Sequence, residues 1–266
     1  MVGKRSQSLW LHMKRIPAME ENAYLTALIA GSFYMVASAR LLRLSMRTRE
    51  LPELMLSVYF ATTGLYYLIA YSPNYPSFEP LSPFANIAIN WIFVLGVFPF
   101  LLFIRRVFRP ESAWALALVW ICGLCLVAGG IDATRKGGLE EVIENPWFIV
   151  EWFGYAAPAV WIGCEAALSY RGASKRAEIG LCEPGVVNRY LILAWFGCFQ
   201  TLACLAGLYW AYDNGDNRAI SVFADALLGG CEIASVGTLW LAFFPPAIYR
   251  KWILERSAGI GPAPEG

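Results

Sequence analysis

Four carboxylates, Glu151, Glu165, Asp225 and Glu232, stand inside long apolar runs of this sequence. An ionised side chain at the centre of a bilayer costs about 2.5–3.5 kcal/mol to insert. Such residues therefore face a bundle interior and mark ligand, ion or proton sites, unless they sit near enough to the surface to stay wet. Asp225 and Glu232 are two helical turns apart, which places both on one helix face with Gly229 between them. Glu151 and Glu165 likewise share a face, with Tyr155 and Pro158 between. Neutral polar residues extend this interior: Asn86 and Asn90, one turn apart, then Gln200, Tyr59, Thr62, Thr63 and Tyr66. Groups of this kind also hold membrane helices together by hydrogen bonds across the bundle, so their presence has a structural reading beside the functional one. The expected site is a cavity in the outer half of the membrane. Glu232 and Asp225 would be its polar anchors, Glu151, Asn90, Tyr155 and Gln200 its lining, and Trp91, Trp161 and Trp195 its apolar walls.

The chemistry open to such a site is narrow. The only histidine, His12, lies in the polar N-terminal segment. Bis-histidine haem, a zinc HExxH site and every histidine-based triad therefore lack a residue they need. There is no GxSxG and no compact acidic metal motif, so neither catalysis nor a metal is expected. Six of the seven cysteines (Cys122, Cys125, Cys164, Cys198, Cys204, Cys231) fall in apolar runs, where a thiol behaves as a small hydrophobe. Cys122-Gly-Leu-Cys125 has CxxC spacing, but no second pair accompanies it, and helix packing accounts for it.

Composition supplies the elements that must position these residues. Charged residues make up 15% of the 266, AVILMFWYC 58%, and mean hydropathy is +0.50. An average soluble chain has roughly 25% charged residues. This much apolar surface belongs in lipid, and a net charge of +1 lacks the basic footprint of a nucleic-acid binder. Apolar runs long enough to cross a hydrocarbon core of about 30 Å fall at 23–43, 52–72, 84–106, 112–131, 146–170, 188–212 and 219–247. The separators carry Pro, Gly and Asn-Gly punctuation. The fold class is thus all-α, a polytopic bundle of seven transmembrane helices over 22–256. A surface segment at 1–21, amphipathic near Leu9–Met19, precedes it, and a flexible Gly/Pro-rich tail at 257–266 follows. Pro99, Pro158 and Pro245-Pro246 are expected to kink or end helices.

Lysine and arginine give the orientation. With seven spans, seven of the 21 fall on the N-terminal side and fourteen on the other. Basic loops face the cytoplasm, so the N-terminus is outside and the C-terminus cytoplasmic, although Lys4, Arg5, Lys14 and Arg15 pull the other way.

Two likenesses accompany this layout. Asp225 on helix seven and Asn90-Trp91 on helix three, followed by Pro99, resemble a microbial rhodopsin in topology. In that family an aspartate precedes the retinal lysine by four residues. Here Gly229 holds that place and helix seven has no lysine, so covalent retinal is not expected. More specifically, Arg106-Val-Phe-Arg-Pro110 and Gly180-Leu-Cys-Glu-Pro184, leading into Asn188-Arg189-Tyr190, resemble segments of a group of uncharacterised bacterial seven-helix membrane proteins. That resemblance implies the fold and a bacterial inner membrane. Physically, Pro110 and Pro184 set chain direction, while Asn188 and Arg189 would cap helix six or bind lipid phosphate.

The functional expectation is a receptor-like or sensory protein binding a small or lipophilic ligand. Membrane lipids, and a protein partner at the basic cytoplasmic face, would be its contacts. A non-catalytic subunit of a membrane complex, or a proton-coupled carrier using the buried carboxylates, are the alternatives.

Overall fold

A computed structural model describes residues 17–70, 83–136, 145–213 and 218–258. These form eight helices: α1 (Pro17–Thr48), α2 (Leu51–Ala70), α3 (Pro83–Phe108), α4 (Ala113–Lys136), α5 (Pro146–Glu178), α6 (Pro184–Asp213), α7 (Arg218–Phe243) and α8 (Ala247–Ala258). Most of the expected surface segment (1–16) and most of the tail (259–266) lie outside the described residues.

Five helices contain stretches long and apolar enough to cross a membrane: Ala27–Thr48, Ile87–Phe108, Ala113–Lys136, Pro184–Tyr209 and Ala226–Phe243. The chain is an integral membrane protein built of helices. The two long helices outside that set are diluted by their own interior-facing groups. In α2 these are Tyr59, Thr62, Thr63, Tyr66 and Tyr67; in α5 they are Glu151, Tyr155 and Glu165.

Helices adjacent in sequence pack side by side from α1 to α7. α1 then meets α7 and closes the ring, α3 touches α5 behind α4, and α8 lies on α6. Tyr34, Tyr59, Phe60, Phe100 and Phe196 are among the buried side chains of the core. Tyr59 stacks on Phe100, with ring centroids 4.4 Å apart. Small residues set the closest crossings. A Cβ on Gly197 of α6 would collide with the backbone of Gly163 on α5, so that crossing requires Gly197 to lack a side chain.

Two expectations at helix ends need correcting. Helix seven stops at Phe243, not at 247, because Pro245-Pro246 follows, and the chain resumes as a separate helix, α8. Asn188 does not cap helix six. It lies within α6 and accepts a 3.1 Å hydrogen bond from the Tyr249 hydroxyl of α8. The α5–α6 turn is built on Gly180, whose φ of 73° suits glycine. Gly180 N–H donates to the Ala177 carbonyl and Leu181 N–H to that of Arg176, the bond pattern of a Schellman end. Glu183 then takes the first turn of α6, with Pro184 at its start. At the other end of α5, Asn145 is the N-cap and accepts from Trp147 N–H at 3.2 Å, with Pro146 next in the chain. Pro99 and Pro158 lie inside continuous helices.

Candidate functional site

Glu232 lies near the middle of α7 and is only 4% exposed. A buried carboxylate needs donors, and here the ring of helices supplies them. Gln200 of α6 donates from Nε2 to Glu232 Oε1 at 3.1 Å, and the Tyr34 hydroxyl of α1 donates to Oε2 at 3.2 Å. Tyr67 of α2, stacked on Tyr34 with centroids 6.0 Å apart, hydrogen-bonds the same carboxylate. Gln200 Nε2 also donates to the Tyr155 hydroxyl of α5 at 2.9 Å. Both amide hydrogens are then used, and Gln200 Oε1 is left buried with no partner. Tyr155 packs against Phe93 of α3 at 4.7 Å and Trp152 at 5.6 Å, and Phe93 against Tyr66 at 5.2 Å. Carboxylate, amide and three phenols thus converge from five helices inside an aromatic wall.

The expected site residues separate into three groups. Glu232, Gln200 and Tyr155 come together as one hydrogen-bonded unit. Asn90 and Glu151 are both buried and lie one turn along their helices from Phe93 and Tyr155, toward the ends where α3 and α5 begin. Asn90 Nδ2 has no partner there. Glu151 fits over Gly129 of α4 so closely that a Cβ at that glycine would collide with it. Trp91, on the same stretch of α3, donates from Nε1 to Thr134 Oγ1 at 3.0 Å.

The remaining residues lie elsewhere. Trp161 is buried against Trp114, with rings 5.7 Å apart, one turn from Glu165. Trp195 is 52% exposed and stacks on Phe199 on the outer surface of α6, so it does not join the wall around Glu232. The side chain of Asp225 lies outside the described residues. The unit around Glu232 draws on α1 and α2 beside α5, α6 and α7.

Tyr34 and Tyr67 are the residues that sequence reasoning missed. Their signal is a phenol in an apolar span, but only the α1–α7 contact, 198 residues apart in sequence, reveals Tyr34's partner.

Glu165 serves a different end. It forms a 2.9 Å ion pair with Arg109, in the turn after α3. The hydrogen bond and charge of the carboxylate hold the Arg109 guanidinium above its ordinary pKa. Among the described residues no group of three His, Cys, Asp or Glu side chains is placed to hold a metal ion.

No protein-family model matches this chain, and neither a curated protein nor a solved structure matches it.

Proposed function

We propose that this protein is a receptor-like seven-span protein of a bacterial inner membrane, N-terminus outside and C-terminus cytoplasmic. It binds a small lipophilic molecule bearing a hydrogen-bond donor at Glu232. The observation that carries the reading is the Tyr34–Glu232 hydrogen bond, which joins α1 to α7 where the ring closes. Beside it, Gln200 Oε1 is a buried acceptor without a donor. Two acceptors set among the hydroxyls of Tyr34, Tyr67 and Tyr155 suit an amine or hydroxyl on an apolar body.

A ligand donor that reaches Glu232 competes with Tyr34, and displacing Tyr34 loosens the α1–α7 seam. Binding therefore favours one helix packing over another, which is the requirement for a ligand to signal across the bundle. The basic cytoplasmic ends of the helices would present that change to a partner.

The test is mass spectrometry of small molecules carried through gentle purification, with an absorption spectrum recorded first. The expected result is one donor-bearing lipophilic molecule per chain, lost from Glu232→Gln while that variant still inserts and folds. Equal retention by the variant would remove Glu232 from the site.

The chain of hydrogen bonds from Tyr155 through Gln200 and Glu232 to Tyr34 favours one second reading, a proton-coupled carrier. A pH change in proteoliposomes driven by a membrane potential would select it over the receptor.

A further inference from the structure

A second feature lies at the other end of the α1–α7 seam and does not depend on Glu232. Arg40 of α1 places its guanidinium over the ring of Trp240 at 4.8 Å and over that of Phe244 at 5.5 Å. With Phe243, Pro245 and Pro246 these residues line an open cleft of about 450 Å³ where α7 ends. Pro245-Pro246 ends α7 here, and the chain turns to α8, which lies on α6. Cation–π contact holds the guanidinium over the two rings. It does not use the N–H groups, which lie at the guanidinium's edge, and among the described residues no oxygen accepts from them. Arg40 is thus a fixed cation with unfilled donors at the depth where a membrane helix meets the headgroups.

The walls continue from the cleft into the membrane as apolar surface. Phe33, two turns before Arg40 on α1, meets Trp240 edge-on at 6.1 Å and is 46% exposed. On α7, Gly237 precedes Trp240 by about one turn, and a Cβ there would meet nothing within 4 Å. Ile233, a further turn along, is exposed. The seam therefore offers a positively charged head, an aromatic shoulder and an open apolar surface along α7 at Gly237 and Ile233.

We infer that this cleft is a binding site for an anionic phospholipid, its phosphate on Arg40 and an acyl chain along α7 past Gly237. A planar guanidinium matches phosphate geometry with two parallel N–H donors, and basic pockets between membrane helices suit anionic headgroups. A zwitterionic lipid brings its own cation beside Arg40 and is disfavoured.

The experiment is native mass spectrometry of the full chain in detergent, after equilibration with phosphatidylglycerol or phosphatidylcholine. The wild type is expected to keep one phosphatidylglycerol in preference to phosphatidylcholine. Arg40→Gln is expected to lose about tenfold of that preference, the loss of one charge-assisted hydrogen-bonded contact. Arg43→Gln, one turn away and outside the cleft, should keep it. Gly237→Ile, which raises a side chain on the surface the acyl chain follows and leaves Arg40 intact, should lower phosphatidylglycerol retention several-fold. Circular dichroism checks that each variant is folded. Equal retention of both lipids by the wild type, or an undiminished preference in Arg40→Gln, would overturn the site. Displacement of the lipid by millimolar inorganic phosphate would assign a soluble anion in its place and overturn it equally.

Discussion

At the residue scale, the buried carboxylate and its donors were unequally visible. Glu232 and Gln200 stand out in sequence because a carboxylate or an amide is costly inside an apolar run and must have a reason to be there. Tyr34 does not stand out, since a phenol is at home in a membrane helix, and nothing local says which helix it faces. Its role in the proposed mechanism makes a prediction of unusual sign. Tyr34→Phe removes the internal competitor for Glu232 and leaves the ring stacked on Tyr67. If a ligand donor replaces the Tyr34 hydroxyl, this variant should hold the co-purifying molecule about fivefold more tightly, the worth of about 1 kcal/mol of hydrogen bond. The measurement is the rate at which the molecule is lost during washing. Faster loss would mean that Tyr34 contacts the ligand itself rather than competing with it.

At the scale of elements, most helix positions were legible because apolar length and Pro or Gly punctuation are local properties. The chain enters α3, α5 and α7 within a residue of the expected starts at 84, 146 and 219, while α6 begins earlier, at Pro184. α8, which falls almost entirely between the expected end of helix seven at 247 and the tail at 257, is not legible as a helix of its own because its sequence, AIYRKWILERSA, mixes charge with apolar residues and gives no spanning signal. How closely the helices approach was not legible, because a glycine reads the same whether a neighbour or lipid faces it. Gly197 and Gly230 make the contrast measurable. A side chain at 197 collides with the α5 backbone, whereas at 230 it meets open space. Both substitutions to leucine gain the same helix propensity, so the difference between them isolates the collision. Gly197→Leu should destabilise the bundle by about 1–3 kcal/mol, the range for overpacking, while Gly230→Leu should stay within about 0.5 kcal/mol of wild type. Denaturation in mixed micelles followed by circular dichroism reads both. Equal midpoints would mean that α5 and α6 are not in close contact at Gly163.

At the scale of the whole molecule, the contacts sort the turns into two ends that a count of charges alone could only suppose. The Arg109–Glu165 pair ties the α3–α4 turn to the later part of α5, Tyr249–Asn188 ties α8 to the start of α6, and Arg40 rests on the end of α7. These all belong to one end of the bundle, the one to which fourteen of the 21 lysines and arginines were assigned. At the opposite end Lys136 is paired with Asp132 at 2.9 Å, and Asn145, which caps α5, donates to that same aspartate at 3.4 Å. Excess positive charge therefore gathers at one face. On the proposed topology of seven crossings, the positive-inside rule makes that face cytoplasmic and puts the N-terminus outside. Cys182 tests both statements together. It sits part-exposed in the α5–α6 turn at the basic end, whereas Cys164 and Cys198 are exposed only along helices that face lipid. A membrane-impermeant maleimide should leave Cys182 unlabelled in intact cells and label it once the membrane is permeabilised, with Cys182→Ser as the blank. Labelling from outside would invert the molecule, and would move the Arg40 cleft to the outer leaflet without altering its chemistry.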